Sequence, residues 1–549
     1  MTMNLIDPNA RDFDAVCRSF KWDVPHYYNI AHEVCDRHSA HRSDVALYCE
    51  NASGHDQSFT FGQIKSLSDR FANALIGLGV GSGDRVAIIL PQRVETGVTH
   101  LAVYKIGAVA LPLSILFGPD AVEYRLRDSG AKAVVSDQAH SAMLQDLRPR
   151  LPELQIVISC NGEGELGFWD LVEKASESLE LARTRADDPA LLIYTSGTTG
   201  PPKGALIAHR SLLGNLTGFE LSQNFYPQKG DCFWTPADWA WTGGLMDGLL
   251  PTWHYARPIV AQPAGKFDPE QACRRLAKYG VTNAFVPPTA LKMIRQLGNE
   301  VRQRFKLRLR AIMSAGEAVG AELYHWAREA LLVEVNEMWG QTEFNYLVGN
   351  CSAIMPVRPG SMGKSFPGHE VNAIDEHGRP MPAGETGELA ARRGDPVMFL
   401  GYWRNEEATR KKFVGEWFCT GDVGYRDADG YLWFVGRKDD VISSAGYRIG
   451  PGEIEDCLLK HPAVAQAAVI GSPDELRGNV VKAFIVLARG HEGSEALKRE
   501  IQEAVRARLA AYEYPREIEF IDELPMTTTG KVRRVELRER DFASRGTKG

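Results

Sequence analysis

The densest store of potential chemistry in the chain is the string Tyr194-Thr-Ser-Gly-Thr-Thr-Gly-Pro-Pro-Lys-Gly-Ala205, which directly follows the apolar run Ala190-Leu-Leu-Ile193. Hydroxyls at Thr195, Ser196, Thr198 and Thr199, glycines at Gly197 and Gly200 and the ammonium of Lys203 supply O–H donors, approachable backbone N–H groups and a cation. That is the inventory for wrapping a polyphosphate. A Walker A loop ends in Gly-Lys-Ser/Thr, whereas here the lysine stands between Pro202 and Gly204, so this would be a phosphate loop of another kind. A plain Ser/Thr/Gly surface loop shares the composition, but so dense a donor cluster after a buried strand has no packing purpose.

Three further side chains have the chemistry such a loop would need around it. Glu343 follows Thr342, and a hard Mg²⁺ that bridges phosphates is commonly held by only one or two protein carboxylates plus waters. Asp422 follows Gly421 in a placement suited to accepting two ribose hydroxyls, and equally suited to a turn aspartate bonding its own backbone. Lys531, in Thr-Thr-Gly-Lys, is a cation that could meet negative charge redistributing during attack on a phosphate. Alternatively it is one more exposed lysine beside Arg533 and Arg534.

Taken in order and spacing, these blocks resemble the adenylate-forming superfamily, which includes acyl-CoA synthetases, peptide-synthetase adenylation domains and firefly luciferase. Ser314-Ala-Gly316-Glu317-Ala is similar to the family's adenine-flanking segment. Asn336-Glu337-Met-Trp339-Gly340-Gln341-Thr342-Glu343 is similar to its nucleotide and magnesium block, and Cys419-Thr-Gly-Asp422 to its ribose aspartate. Gly436-Arg437-Lys-Asp439-Asp440 matches the hinge and Pro525-Met-Thr-Thr-Thr-Gly-Lys531 the C-terminal lysine loop. The resemblance is nearest to medium-chain acyl-CoA synthetases. It implies CoA contacts at Ala445, Gly446, Tyr447 and Arg448, at Arg477, and at Tyr512 and Arg516. Ala445 stands where those relatives carry a serine, which leaves backbone contacts at that position.

By the same resemblance, Trp239, Trp241 and Gly243, together with Pro288, line the acyl pocket, although aromatics beside glycines also make ordinary core. Acetate-specific relatives carry a tryptophan immediately before the Gln-Thr-Glu; Gly340 stands there in this chain, and the missing indole is expected to leave room for a longer acid. The implied activity is that of an AMP-forming acyl-CoA synthetase acting on a medium-chain, branched or aryl acid with ATP, Mg²⁺ and CoA. Two other readings stay open: an adenylation enzyme that loads a carrier protein, and a nucleotide-binding regulator without chemistry. The resemblance also implies a protein acetyltransferase acting on Lys531, and a homo-oligomer stays open.

Elements able to hold these residues are visible in the periodicity. Thr60 and Gln63 form a capping box, followed by apolar residues at 64, 67, 71, 74 and 78 until Gly79, which predicts an amphipathic helix. Apolar runs at 86–90, 133–136 and 154–159 read as strands buried on both faces, and their alternation with helices predicts an α/β sheet. After about residue 355 glycines, prolines and alternating segments predict antiparallel strands, a small β-barrel-like part. From about 440 onward the predicted order is helix 452–460, strands near 467–470 and 480–487, a helix carrying Leu497, Ile501 and Val505, and a strand at 518–521. The expectation is a large N-terminal domain of layered α/β subdomains over 1–437 and a small mobile α+β domain over 438–549, hinged near Asp439.

Composition sets the outer bounds. In 549 residues, 44% are hydrophobic and 24% charged, which excludes a disordered or collagen-like chain. Lys+Arg 63 against Asp+Glu 70 gives −7, so no overall basic field draws nucleic acid or anionic lipid. The nine cysteines form no C-x-x-C pair, and no apolar run reaches the ~20 residues of a membrane helix. The first residues turn acidic before an apolar stretch can form, which predicts a cytoplasmic protein.

Overall fold

The computed structural model describes residues 4–50, 55–160, 166–195, 202–444, 447–474, 478–509, 514–526 and 531–546. They fall into two compact units. The first takes 1–197, 201–370 and 392–411; the second takes 371–391 and 412–549, together with 198–200, which lie outside the described residues.

The capping box of the first unit is realised as read. The Gln63 N–H donates to Thr60 Oγ1 at 3.2 Å and the Thr60 N–H to Gln63 Oε1 at 2.8 Å. The helix Phe61–Gly77 buries Ile64, Phe71 and Leu75 and stops at Gly79, whose φ of +88° suits glycine. The continuously apolar runs form the centre of an eight-stranded sheet, with Arg85–Ile89 parallel to both Val109–Pro112 and Ala133–Ser136, and Ile156–Ser159 beyond. Helices cover parallel sheets on both faces, which explains why these strands read as unbroken apolar runs.

At one side this sheet turns antiparallel. Pro189–Thr195 pairs with Lys203–Ala208, which pairs in turn with the short strand Gly401–Tyr402. The phosphate-loop string therefore joins two antiparallel neighbours, with Thr195 opposite Lys203. A nine-stranded sheet makes the second layer. Its middle strands Phe233–Trp234, Asn283–Phe285, Ala311–Ser314 and Val335–Gln341 are parallel, and Asn345–Gly349 returns antiparallel beside Val335–Gln341.

In the second unit the expected barrel-like part is a five-stranded antiparallel sheet built on the long strand Trp417–Arg426, flanked by Gly387–Arg392 and Leu432–Arg437. The α+β part follows the predicted order: helix Pro451–Leu458, strands Val464–Asp474 and Gly478–Leu487, helix Glu495–Arg506 and strand Glu517–Phe520. Its core joins Ile454, Leu458, Val469, Ile485, Ile501 and Val505. Helix Arg534–Gly546, not foreseen from periodicity, adds Leu537 against Ile470 and Phe484 on the other face. Position 437/438 lies inside this unit, where a Cβ on Gly436 would sit 3.2 Å from Pro451.

Candidate active site

Glu343 sits at the tip of a hairpin that the sequence builds tightly. Gln341 and Asn345 pair across it, the Phe344 N–H donates to the Gln341 carbonyl at 3.1 Å, and Asn345 has φ +51°. This is a three-residue loop closed by a left-handed residue, a conformation asparagine tolerates. The carboxylate is nevertheless only 7% exposed. Its Oε1 accepts from the Tyr402 hydroxyl at 2.5 Å, and the Glu343 carbonyl accepts from the Phe399 N–H at 2.7 Å.

Tyr402 links this carboxylate to the strand Lys203–Ala208, which follows the donor-rich string. It pairs with Ala205, two residues from Lys203, and the Lys203 ammonium lies 5.5 Å from the centre of the Tyr402 ring. Carboxylate and cation thus approach a single phenol from its hydroxyl and its ring, the combination needed where a metal-bound polyphosphate rests. Among the described residues no group of three or more His, Cys, Asp or Glu could hold a metal alone. A lone buried carboxylate fits Mg²⁺, which brings its phosphates with it and keeps several waters. Tyr402 was not anticipated, since one tyrosine in Gly-Tyr-Trp-Arg carries no periodic or spacing signal.

Other expected residues meet in the same unit. Gly316 has φ +97°, and both oxygens of Glu317 lie 3.2 Å from the Thr289 hydroxyl, so the Gly316–Glu317 segment and the Pro288 region come together. Glu337 and Trp339 are buried on Val335–Gln341, with Trp339 5.5 Å from the Phe344 ring. Trp241 is half-buried and stands edge-on to Phe117 at 5.7 Å, while a Cβ on Gly243 would meet the Phe285 ring at 2.7 Å. Trp239 is fully buried. A Cβ on Gly340 would lie 1.5 Å from the Asn345 carbonyl oxygen, so a side chain there requires the hairpin backbone to shift.

In the second unit Asp422 is buried opposite Arg437, whose Nη1 donates to its Oδ1 at 2.8 Å. The Asp422 N–H donates to Thr420 Oγ1 at 3.0 Å and the Gly421 N–H to Glu388 Oε1 at 3.0 Å, so the Thr-Gly-Asp kink is held on both sides. Here the aspartate is a strand residue ion-paired to arginine and not a turn aspartate. Asp439 and Asp440 follow directly: Arg538 donates to the Asp439 carbonyl at 3.3 Å and to Asp440 Oδ1 at 2.7 Å. Arg534 donates to both oxygens of Glu455 at 2.7 and 2.6 Å, and burial still pushes that carboxyl above its ordinary range. Both arginines belong to the helix Arg534–Gly546, three residues beyond the exposed Lys531.

A family model described as AMP-binding enzyme matches residues 35–403, about two thirds of the chain. The chain belongs to the AMP-binding enzyme family. The model of the AMP-binding enzyme C-terminal domain matches 453–531 as well. Acetyl-coenzyme A synthetase of Bacillus subtilis (strain 168) is 36% identical, over 96% of this chain and 95% of that protein. The mitochondrial acyl-coenzyme A synthetase ACSM3 of Mus musculus is 33% identical, over 98% and 94%. Among solved structures, anthranilate CoA ligase AuaEII in complex with anthranoyl-AMP superimposes with a TM-score of 0.87 at 32% identity, covering 95% of this chain and 99% of that one.

For this AMP-binding enzyme, several expected contacts are placed only in part. Ser196 to Gly200, Ala445, Gly446, Arg477 and Tyr512 lie outside the described residues. Tyr447 and Arg448 are in the strand Tyr447–Ile449, paired with Ile442–Ser444. Arg516 lies over the Tyr514 ring at 5.2 Å, and Arg506 over the same ring at 4.8 Å. No described helix is long and apolar enough to cross a membrane.

Proposed function

We propose that this enzyme joins a medium-chain, branched or aryl carboxylic acid to CoA in two steps. It is an AMP-forming acyl-CoA synthetase, an acid–thiol ligase, and the observation that carries this is the likeness over nearly the whole chain to synthetases of that class. In the first step a carboxylate oxygen attacks the α-phosphorus of ATP, the bond to the β-phosphate breaks, and pyrophosphate leaves. In the second the CoA thiolate attacks the acyl carbonyl and AMP departs.

The residues divide by chemistry. Thr195 to Gly200 and Lys203 hold the phosphates; Glu343, oriented by Tyr402, takes Mg²⁺, with Thr342 beside it. Gly316, Glu317, Glu337, Trp339, Gly340 and Gln341 surround the nucleotide, and Asp422, held by Arg437, accepts hydrogen bonds from the ribose hydroxyls. Mg²⁺, when bound, neutralises charge on the transferring phosphates. Trp241, Gly243 and Pro288 bound the acid. Lys531 stabilises the first step, whereas Ala445 to Arg448, Arg477, Tyr512 and Arg516 receive CoA in the second. A large domain over 1–437 and a small one over 438–549 turn about Asp439 between steps. A protein acetyltransferase that neutralised Lys531 would silence the first step. No disulfide joins the nine cysteines, which fits a reducing compartment such as the cytoplasm.

The test is pyrophosphate release across acids of graded length, branching and aromaticity, with CoA and a carrier-protein thiol as alternative acceptors. Release with at least one acid and thioester formation on CoA is the expected outcome. Thioester on the carrier alone would replace CoA as acceptor, and no release with any acid would leave a nucleotide-binding regulator.

A further inference from the structure

Asn345, two residues past Glu343, acts through both its backbone and its side chain. Its left-handed backbone closes the hairpin, and its carbonyl is the atom that keeps Gly340 bare. Its side chain does not project from the hairpin tip but is 8% exposed. Nδ2 donates to Asp247 Oδ1 at 2.6 Å and to Asn215 Oδ1 at 2.5 Å. Asn215, on the helix Ser211–Ser222, donates in turn to the Met246 carbonyl at 2.5 Å. Met246 and Asp247 lie in the π-helical turn Leu245–Leu249, which continues directly from the segment of Trp241 and Gly243. One buried amide therefore ties the Glu343 hairpin to the wall proposed to bound the acid.

Burial pushes the Asp247 carboxyl well above its ordinary range. A buried polar network with its members satisfied holds one arrangement firmly, and a half-satisfied one does not. We propose that Asn345, anchored by Asp247 and Asn215, is a positioning residue that couples the acid-binding segment 241–247 to the Glu343 hairpin. The carboxylate that meets the phosphate-bound cation and the wall that seats the attacking acid are thereby held in one geometry. The inference rests on the role given to Glu343 above.

The experiment uses the full chain and reads two half-reactions separately. Pyrophosphate release is measured against Mg²⁺ and against acid concentration; thioester formation is measured from synthetic acyl-adenylate plus CoA. Asn345→Gly keeps the left-handed backbone and deletes the amide. It should raise both the Mg²⁺ half-saturation and the acid KM by about tenfold or more, the usual scale for losing a support behind a metal ligand, and leave the second step unchanged. Asp247→Asn, which keeps an oxygen able to accept from Asn345, should move both readings less than Asp247→Ala. Should Asn345→Gly fail to fold, Asp247→Ala removes the acceptor without touching the hairpin backbone and should move the same two readings.

Parental Mg²⁺ and acid dependence in the cavity-forming or glycine variant would overturn the proposal, and so would equal loss of both half-reactions. Glu343→Gln separates the two levels. If it leaves the Mg²⁺ dependence unmoved, the reading of Glu343 itself fails. If it moves that dependence while Asn345→Gly does not, only the coupling fails.

Discussion

Two residues show how local geometry overrides what a residue type suggests. Gly340 invites a larger side chain by analogy with acetate-specific relatives, yet its Cβ would collide with the Asn345 carbonyl. Even Gly340→Ala should therefore overpack the hairpin, costing about 1–3 kcal/mol in stability. It should depress pyrophosphate release for every acid without altering the preferred chain length, and kcat/KM across straight-chain acids checks it. A shift toward acetate would mean that the hairpin yields and that 340 does face the acid. Glu220 makes a different point. It is buried, accepts from the Tyr255 hydroxyl at 2.5 Å and from the N–H groups of Leu5 and Ile6 at 2.7 and 2.9 Å, and burial raises its carboxyl from 4.5 to about 7. The folded state then binds more protons than the unfolded chain between those values, so this group's contribution to stability is full below the window and is lost as pH rises through it. Thermal unfolding followed from pH 4.5 to 7.5 should show that slope flattened in Glu220→Gln; an identical slope in both proteins would exclude Glu220 as its source.

Among the elements, the helix Arg534–Gly546 matters most, because it fixes the chain just after Lys531 to the segment after Asp439. Its Arg534 meets Glu455 of the helix Pro451–Leu458, and Glu455 also accepts the Val469 N–H at 2.7 Å. Removing one partner of a largely buried pair strands the other charge, at about 3–5 kcal/mol, while replacing both by apolar groups is far milder. Arg534→Leu should thus lower the hydrogen-exchange protection of strand Val464–Asp474 more than the double variant Arg534→Leu with Glu455→Leu. The opposite ordering would show that the pair does not act as a buried unit.

For the molecule as a whole, the decisive question is whether one site performs both half-reactions or two faces of the small domain take turns. Lys531→Ala should depress adenylate formation by about 10²–10³, the worth of a positioned charge in a transition state, and spare thioester formation from supplied acyl-adenylate. Gly446→Leu, which would obstruct a pantetheine passing close to the backbone, should do the reverse. Equal loss of both steps in both folded variants would require a single fixed site.

The class of chemistry came from the resemblance of the ordered blocks to a known family. By itself the sequence determined the ingredients: a donor-rich loop after a buried strand, the side chains Glu343, Asp422 and Lys531, the capped helix from Phe61, and the order of elements after 440. These were legible because they depend on residue type, spacing and period, which are local. The tertiary structure alone decided which of them meet. Tyr402 reaches Glu343 across 59 positions of chain, and Asn345 reaches Asp247 across 98, distances over which no periodicity carries information. Gly340 is a nearer case: the atom a side chain there would meet is the carbonyl of Asn345, and only the folded hairpin brings that atom back against it.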